Sequence, residues 1–366
     1  MNHTDLKAVH SETLQLLQQL IEIPSISQNE EHTAKLIAAY FLKKKIPYHQ
    51  KYHNIWAKNK KFDPLLPTLL LNSHHDTVKP NAGYTKNPYK AEIEDGKLYG
   101  LGSNDAGGCL VALIAAFTYY YEHDLPFNLI IAATAEEEIS GKSGIAAIIN
   151  DFPEIELAIV GEPTLLQLAV AEKGLMVIDA RVKGISGHAA REEGENAIYK
   201  TLGDLQVLKN FSFKKTSKFL GASKASVTVI NAGLQHNVVP DLCTYCIDVR
   251  VTDAYTLEEA LEELRGILKA ELVPRSLRLN SSKVPDDHKI LLISKKMDLV
   301  QYGSPTLSDQ ALIPYPSVKI GPGDSARSHT SDEFIYVEEV YQGIDFYINL
   351  IQQYAEVTHS LNKEML

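Results

Sequence analysis

In this chain, acids and imidazoles stand where apolar runs stop. Leu69-Leu70-Leu71 leads through Asn72-Ser73 into His74-His75-Asp76, Asn128 to Thr134 leads into Glu136-Glu137-Glu138, and Leu157 to Gly161 leads into Glu162. Val318-Lys319-Ile320 enters Gly321-Pro322-Gly323, with His329 six residues beyond, and Asp105 stands at the head of an apolar stretch starting near Ala106. A single carboxylate at a strand end or helix start is ordinarily a cap or a solvated loop residue, and a single histidine there is ordinarily structural. Five such positions meeting on one sheet edge point instead to a binding site. Two imidazoles and three carboxylates form a borderline donor set suited to zinc, with no thiolate among them. The charges also match: two divalent ions are balanced by Asp105, Glu138, Glu162 and one bridging hydroxide.

The elements that must position these groups can be read from the same runs. Thr68 to Leu71, Asn128 to Thr134, Leu157 to Val160 and Ser317 to Ile320 are short and apolar throughout, as strands covered on both faces should be. Helices are expected after Ser11 (stripe Leu14, Leu17, Leu20, Ile21, stopped by Pro24), from Glu30 to Lys44 behind an Asn29 cap, from Ala106 to Tyr121, and from Gly144 to Asn150. This alternation predicts an α/β fold with a mainly parallel sheet, whose strand C-terminal edge is where such sheets collect ligands. From about Glu172 the order becomes strand Leu175 to Val182, helix Glu195 to Lys209, strands Ala225 to Ile230 and Leu242 to Val251, helix Leu257 to Lys269 and edge strand Leu277 to Asn280. That β-α-β-β-α-β order is the ferredoxin-like plan. The expectation is a catalytic domain of residues 1–171 plus 282–366 with residues 172–281 inserted as a smaller α+β domain, and a last helix from Ser331 or Asp332 to about Gln353.

Composition narrows the class. A chain of 366 residues is long enough for two cores, and its 45% apolar and 22% charged residues suit a globular protein. A net charge of −10, with no basic run longer than Lys43-Lys44-Lys45, argues against nucleic acid as a partner. The longest apolar run, Cys109 to Phe117, falls short of the ~20 residues of a membrane span, and Met1 to Asp5 lacks the plan of a signal peptide. A cytoplasmic enzyme is expected. Three cysteines make no disulfide framework, and Cys243-Thr-Tyr-Cys246 lies in a strand-like run that points the two thiols to opposite faces.

The segments Ser73 to Val78, Gly100 to Gly108, Glu136 to Gly141, Val160 to Pro163 and Gly321 to Glu333 resemble, in that order, the signature segments of the M20 family. This is the dinuclear zinc group that includes acetylornithine deacetylases, succinyl-diaminopimelate desuccinylases, aminoacylases and carboxypeptidases. The resemblance covers nearly the whole chain. It implies that Asp105 bridges two zinc ions (Co2+ or Mn2+ as substitutes), that His74 and Glu162 complete one site, and that Glu138 and His329 complete the other. Asp76 would fix the His74 tautomer, and Glu137, with a raised pKa, would be the general base. His75 falls at a variable position and is not expected to bind metal; Glu136 stands where relatives usually carry Asp.

Ile185 to Ala190 resembles the family segment in which a histidine of the smaller domain, often from a partner subunit, completes the site, so His188 is implied at the developing oxyanion. Asn237, Arg250, Gly321 and Gly323 match positions implied to bind substrate, and a homodimer is implied. Relatives mostly follow the bridging Asp with Met-Lys-Gly, whereas this chain reads Ala106-Gly107-Gly108. Glu162 as the third carboxylate resembles the deacylase branches more than the aminopeptidases. The expected substrate is therefore a small N-acyl amino acid, first of all an N-acyl-ornithine of arginine synthesis, with desuccinylation or dipeptide hydrolysis as alternatives. Arg191 and Arg327 are candidates for holding a succinyl carboxylate.

Overall fold

The computed structural model describes residues 6–364. Met1 to Asp5, on which the expectation of no secretion signal rests, lies outside the described residues. The chain divides into two compact units, residues 1–170 with 283–302 and 308–366, and residues 171–282 with 303–307.

The larger unit is built on a sheet whose strands lie in the order Tyr48–Lys51, Asn54–Lys58, Asn128–Thr134, Thr68–His74, Leu157–Val160, Ser317–Lys319 and Leu168–Glu172. The four strands from Asn128–Thr134 to Ser317–Lys319 run parallel. Asn54–Lys58 joins antiparallel on one side and Leu168–Glu172 on the other. Every residue of Thr68–His74 and Asn128–Thr134 is buried, which explains their unbroken apolar texture. From Thr68–His74 the chain goes first to Asn128–Thr134 on one side and then to Leu157–Val160 on the other. Thr68–His74 is thus the point where the strand order reverses, and its C-terminal end is the crevice in which open α/β sheets bind ligands.

Helix Gly108–Tyr120 is apolar on all sides and almost wholly buried, packed against helices Leu6–Ile21 and Val337–Glu364. It anchors the turn that carries Asp105. A small three-stranded sheet, Glu92–Glu94, Lys97–Tyr99 and Phe334–Tyr336, ties that turn to the loop after His329.

The smaller unit has the sheet order Lys224–Ala232, Leu242–Val251, Gly174–Lys183, Glu271–Pro274, all antiparallel, with helices Ala197–Asn210 and Leu257–Arg265. This is the ferredoxin-like connection. Alternate residues of Leu242–Val251 face the helices, so Cys243 is in the core while Cys246 points to the other face, and both are free thiols.

Several expected boundaries move. The first helix already runs from Leu6, so Ser11 lies inside it rather than at its cap. Glu30, not Asn29, caps the second helix, without a side-chain cap bond. The closing edge strand is Glu271–Pro274 rather than Leu277 to Asn280, because the preceding helix ends at Arg265, before Gly266. The last helix starts at Val337, after the strand Phe334–Tyr336. Among the described residues no helix is long and apolar enough to cross a membrane.

Candidate metal centre

His74 closes the central strand, fully buried, and its two ring nitrogens face opposite ways. Nδ1 lies 3.0 Å from the backbone oxygen of Asp76, an arrangement that makes it the donor. Nε2 looks into a group of carboxylates: Asp105 Oδ1 at 3.2 Å, Glu162 Oε1 at 3.8 Å and Glu137 Oε2 at 3.9 Å. Burial alone would lower the pKa of this imidazole, but Glu137, Asp105 and Asp76 outweigh it and hold it well above the usual histidine value.

Asp105 sits in the tight turn Ser103–Gly107, entered through Gly102 at φ 76°, a left-handed conformation suited to glycine. Its two oxygens face two different imidazoles, Oδ1 towards His74 Nε2 and Oδ2 towards His329 Nε2 at 3.5 Å. His329 Nε2 is also 2.9 Å from Glu138 Oε2, and that pairing, opposed by partial burial, moves its pKa up to about 9.

Glu137–Ile139 is a single helical turn immediately after the strand Asn128–Thr134. Burial is the main reason the Glu137 carboxyl is pushed well above the carboxylate range; nearby Glu162, Asp309 and Glu138 add to it, while His74 opposes. Glu162 follows the strand Leu157–Val160 and is likewise pushed up to about 8, first by burial and then by Asp105, again against His74. Carboxyls so crowded and so poorly hydrated need positive charge to ionise together.

Two sets of donor atoms, His74 with Asp105 and Glu138, and His74 with Glu137 and Glu162, lie within 4.8 Å of one another. An imidazole with Nε2 aimed inward, several carboxylate oxygens around it and a surplus of buried negative charge fit divalent cations, one of which would take the place of the Nε2 proton. His74, Asp105, Glu138, Glu162 and His329, the five residues expected as ligands, thus come together, with Glu137 beside them.

Other expected residues have different surroundings. His75 is buried with both nitrogens engaged, Nδ1 with Thr33 Oγ1 at 2.9 Å and Nε2 with the His53 carbonyl at 3.0 Å. Glu136 receives the Ser143 N–H at 3.0 Å and gives its own N–H to buried Glu30. The N–H of Gly321 donates to Thr164 Oγ1 at 3.0 Å, and a Cβ there would lie 2.6 Å from Cys109 Sγ. Gly323 has φ 86° and would press a Cβ to within 2.5 Å of Asn104 Oδ1. Both glycines thus have a packing role. Gly107 is wedged between the Gly102 carbonyl and Leu17, leaving no room for the lysine of relatives unless the turn moves.

In the smaller unit, His188 is exposed on a two-residue ladder with Val238, next to Asn237, and its Nδ1 accepts the Ala190 N–H at 3.1 Å. Arg250 is bound side-on by Asp248, at 2.9 and 3.1 Å, so its fork is already occupied. Arg327 is held end-on by Glu339, Nη1 and Nη2 donating at 2.6 and 3.0 Å.

Two buried acids at the site are not among the residues that the sequence singles out, although Glu333 closes the Gly321 to Glu333 segment of the family resemblance. Asp309 receives Thr134 Oγ1–H at 2.7 Å, and burial raises its carboxyl to about 6. Glu333 accepts the backbone N–H groups of Asn104 and Asp105, and is raised to about 8 by burial and by Asp105. Neither follows an apolar run, the only pattern that marked the others.

Known proteins carry the same organisation. Acetylornithine deacetylase of Photorhabdus laumondii is 30% identical, with 88% of this chain and 92% of that protein covered. Succinyl-diaminopimelate desuccinylase of Wolbachia pipientis is 26% identical, with 95% and 94% covered. Among solved structures, the aminopeptidase PepT of Bacillus cereus superposes with a TM-score of 0.76 at 17% identity, over 95% of this chain and 98% of that one. The YXEP protein of Bacillus subtilis, a dinuclear metal-binding peptidase of the M20 family, gives 0.75 at 16%, over 96% and 99%. The model of peptidase family M20/M25/M40 matches residues 70–353, a span that runs from the strand ending in His74 past His329, and the chain belongs to that family as a hydrolase of amide bonds.

Proposed function

We propose that this protein is a dinuclear zinc amidohydrolase of the cytoplasm that removes the acyl group from an N-acyl amino acid, with N-acetylornithine as its first substrate. The observation that carries the metal reading is Asp105, whose two oxygens face His74 and His329 separately, as a carboxylate bridging two cations would. His74 with Glu162, and His329 with Glu138, then complete the two sites. When bound, the ions supply the charge that makes a water acidic and a substrate carbonyl electrophilic.

The chain's own residues do the rest. Glu137 lies within the same cluster, and burial pushes its carboxyl upward, the direction that suits a group taking a proton from water. It then returns that proton to the departing amine. Asp76 holds the His74 ring.

The deacylase reading is supported by the relatives of nearly full length, which are named for deacylation of ornithine and diaminopimelate. Acetyl is favoured over succinyl because the Arg327 guanidinium already spends two of its N–H groups on Glu339, which partly neutralises it towards a second carboxylate. A homodimer through the smaller unit is supported by its unpaired edge strand Lys224–Ala232, with Val229 and Ile230 exposed, and by Tyr199 and Leu202 exposed on the adjacent helix.

The test is a substrate panel on the zinc-loaded protein: N-acetylornithine, N-succinylornithine, the citrulline analogues, N-succinyl-diaminopimelate and plain dipeptides. Highest kcat/KM for N-acetylornithine is expected, abolished by a chelator and restored by Zn2+. Preference for dipeptides would overturn the deacylase reading, and preference for a succinyl substrate would overturn the acetyl assignment.

A further inference from the structure

The turn that presents Asp105 cannot satisfy its own backbone. Asp105 and Ala106 have non-helical dihedrals (φ −116°, ψ 97° and φ −119°, ψ 32°), so no regular helical ladder serves the N–H groups of Asn104 and Asp105. Asn104 is buried and Asp105 largely so, and a buried N–H without an acceptor is costly. Glu333, 1% exposed, meets both: its Oε1 accepts the N–H of Asn104 and the N–H of Asp105, each at 2.9 Å. Its backbone oxygen also accepts the N–H of Gly100 at 3.0 Å, at the beginning of the same turn. One residue therefore grips the segment Gly100 to Asp105 at both ends.

Its place in the chain matters as well. Glu333 is four residues after His329, and the next residue, Phe334, pairs with Tyr99 just ahead of the turn. The segment bearing one imidazole of the cluster is thereby fastened to the segment bearing the carboxylate that both imidazoles face. No other acidic side chain in the described residues accepts from these two groups.

We infer that Glu333 is a positioning residue for metal binding: by holding the Asn104 and Asp105 N–H groups it sets the Asp105 carboxylate between His74 and His329. The inference rests on the dinuclear reading above. It differs from a purely structural role, in which loss of Glu333 would lower stability and leave the affinity of the folded protein for metal unchanged.

The experiment compares the wild-type protein with Glu333→Met, which fills the space without accepting, and Glu333→Gln, which keeps an Oε1 acceptor. Co2+ affinity is read by competition with a chromophoric chelator, the visible spectrum of the Co2+-loaded protein reports ligand geometry, and the thermal midpoint of the metal-free protein reports the fold. Glu333→Met is expected to weaken Co2+ binding at least about tenfold and to change the spectrum, with Glu333→Gln within about threefold of wild type. Should Glu333→Met fail to fold, Glu333→Asp carries the test, because it keeps the charge but withdraws the oxygen; the same loss is expected. Wild-type affinity and spectrum in a folded Met or Asp variant would overturn the inference, as would a loss in Glu333→Gln equal to that in Glu333→Met. Wild-type protein that fails to bind two Co2+ per chain would instead overturn the dinuclear reading, and the inference with it.

Discussion

The carboxylate of Asp76 accepts the backbone N–H of Glu137 at 3.0 Å and that of Glu138 at 3.2 Å, while the carbonyl of the same residue receives the Nδ1–H of His74 at 3.0 Å. Ser27 Oγ–H completes its shell at 2.7 Å. Sequence reading expects Asp76 to fix the histidine; the structure shows it also fixing the turn that carries both glutamates. Burial opposes ionisation of Asp76, but His74, Ser27 and the Glu137 N–H hold its carboxyl below the usual carboxylate range.

Asp76→Asn is therefore expected to do more than weaken one contact. Rotating either way, the amide turns an N–H towards a backbone N–H that was bonded to oxygen. Metal affinity and kcat should both fall, by roughly 10- to 100-fold. Titration with Zn2+ followed by steady-state kinetics at saturating metal separates the two. A variant that recovers full kcat once saturated would show that Asp76 acts on metal affinity alone.

Glu137 is expected to be the proton carrier and not an essential ligand. Glu137→Gln should retain two metal ions per chain by elemental analysis while kcat drops by about 10²–10⁴-fold, the usual range for loss of general acid–base help. Near wild-type turnover in a metal-replete Glu137→Gln variant would remove Glu137 from that role.

His75 offers a pH test that is independent of turnover. Burial lowers its pKa to about 4, while an unfolded histidine titrates near 6.5. Between those values the unfolded chain holds a proton that the folded chain does not, so this residue's contribution to stability is complete above about pH 6.5 and declines as pH falls towards 4. Linkage gives a loss of about 2 kcal/mol between pH 7 and pH 5. His75→Gln, which can keep a bond to the His53 carbonyl without titrating, should lose less over that interval. Urea unfolding of the metal-free proteins at both pH values measures the difference; parallel losses would mean that His75 takes up its proton as readily in the fold as in the unfolded chain.

How far the sequence discloses this molecule depends on burial. Strands Asn128–Thr134 and Leu157–Val160 begin and end where the apolar runs do, because both faces are covered and no polar residue is tolerated between. Edge elements carry no such mark: Tyr48–Lys51 is Tyr-His-Gln-Lys, mostly exposed, and nothing in it distinguishes strand from loop. The site divides in the same way. Residues delivered by strand ends, such as His74 and Glu162, stand out against the run before them. Glu333 and Asp309 come from loops and matter only through partners more than two hundred and about one hundred and seventy residues away, a relation that spacing along the chain does not carry. Arg250 and Arg327 add a relation of the same kind: each donates two N–H bonds to a carboxylate, Asp248 and Glu339, a pairing that the sequence alone does not display.

Gly321 brings packing and chemistry together at one atom. A Cβ there would lie 2.6 Å from Cys109 Sγ, 2.7 Å from the Glu162 carbonyl and 2.8 Å from the Tyr347 hydroxyl. Cys109 belongs to the buried helix Gly108–Tyr120, and Tyr347 Oη is bonded to the Ile320 carbonyl at 2.6 Å, so neither can retreat cheaply. Gly321→Ala must therefore move the backbone, and the nearest backbone is that of Glu162. Overpacking of this kind costs about 1–3 kcal/mol, to be read as a lower thermal midpoint of the metal-free protein. Because the displaced residue is Glu162, zinc affinity should fall as well, by about tenfold if the carboxylate loses its alignment. The control is Gly203→Ala, at a helical position where an added Cβ meets nothing within 4 Å; it should leave both readings unchanged. A Gly321→Ala protein destabilised but with wild-type zinc affinity would show that the Glu162 carboxylate is held independently of its own main chain.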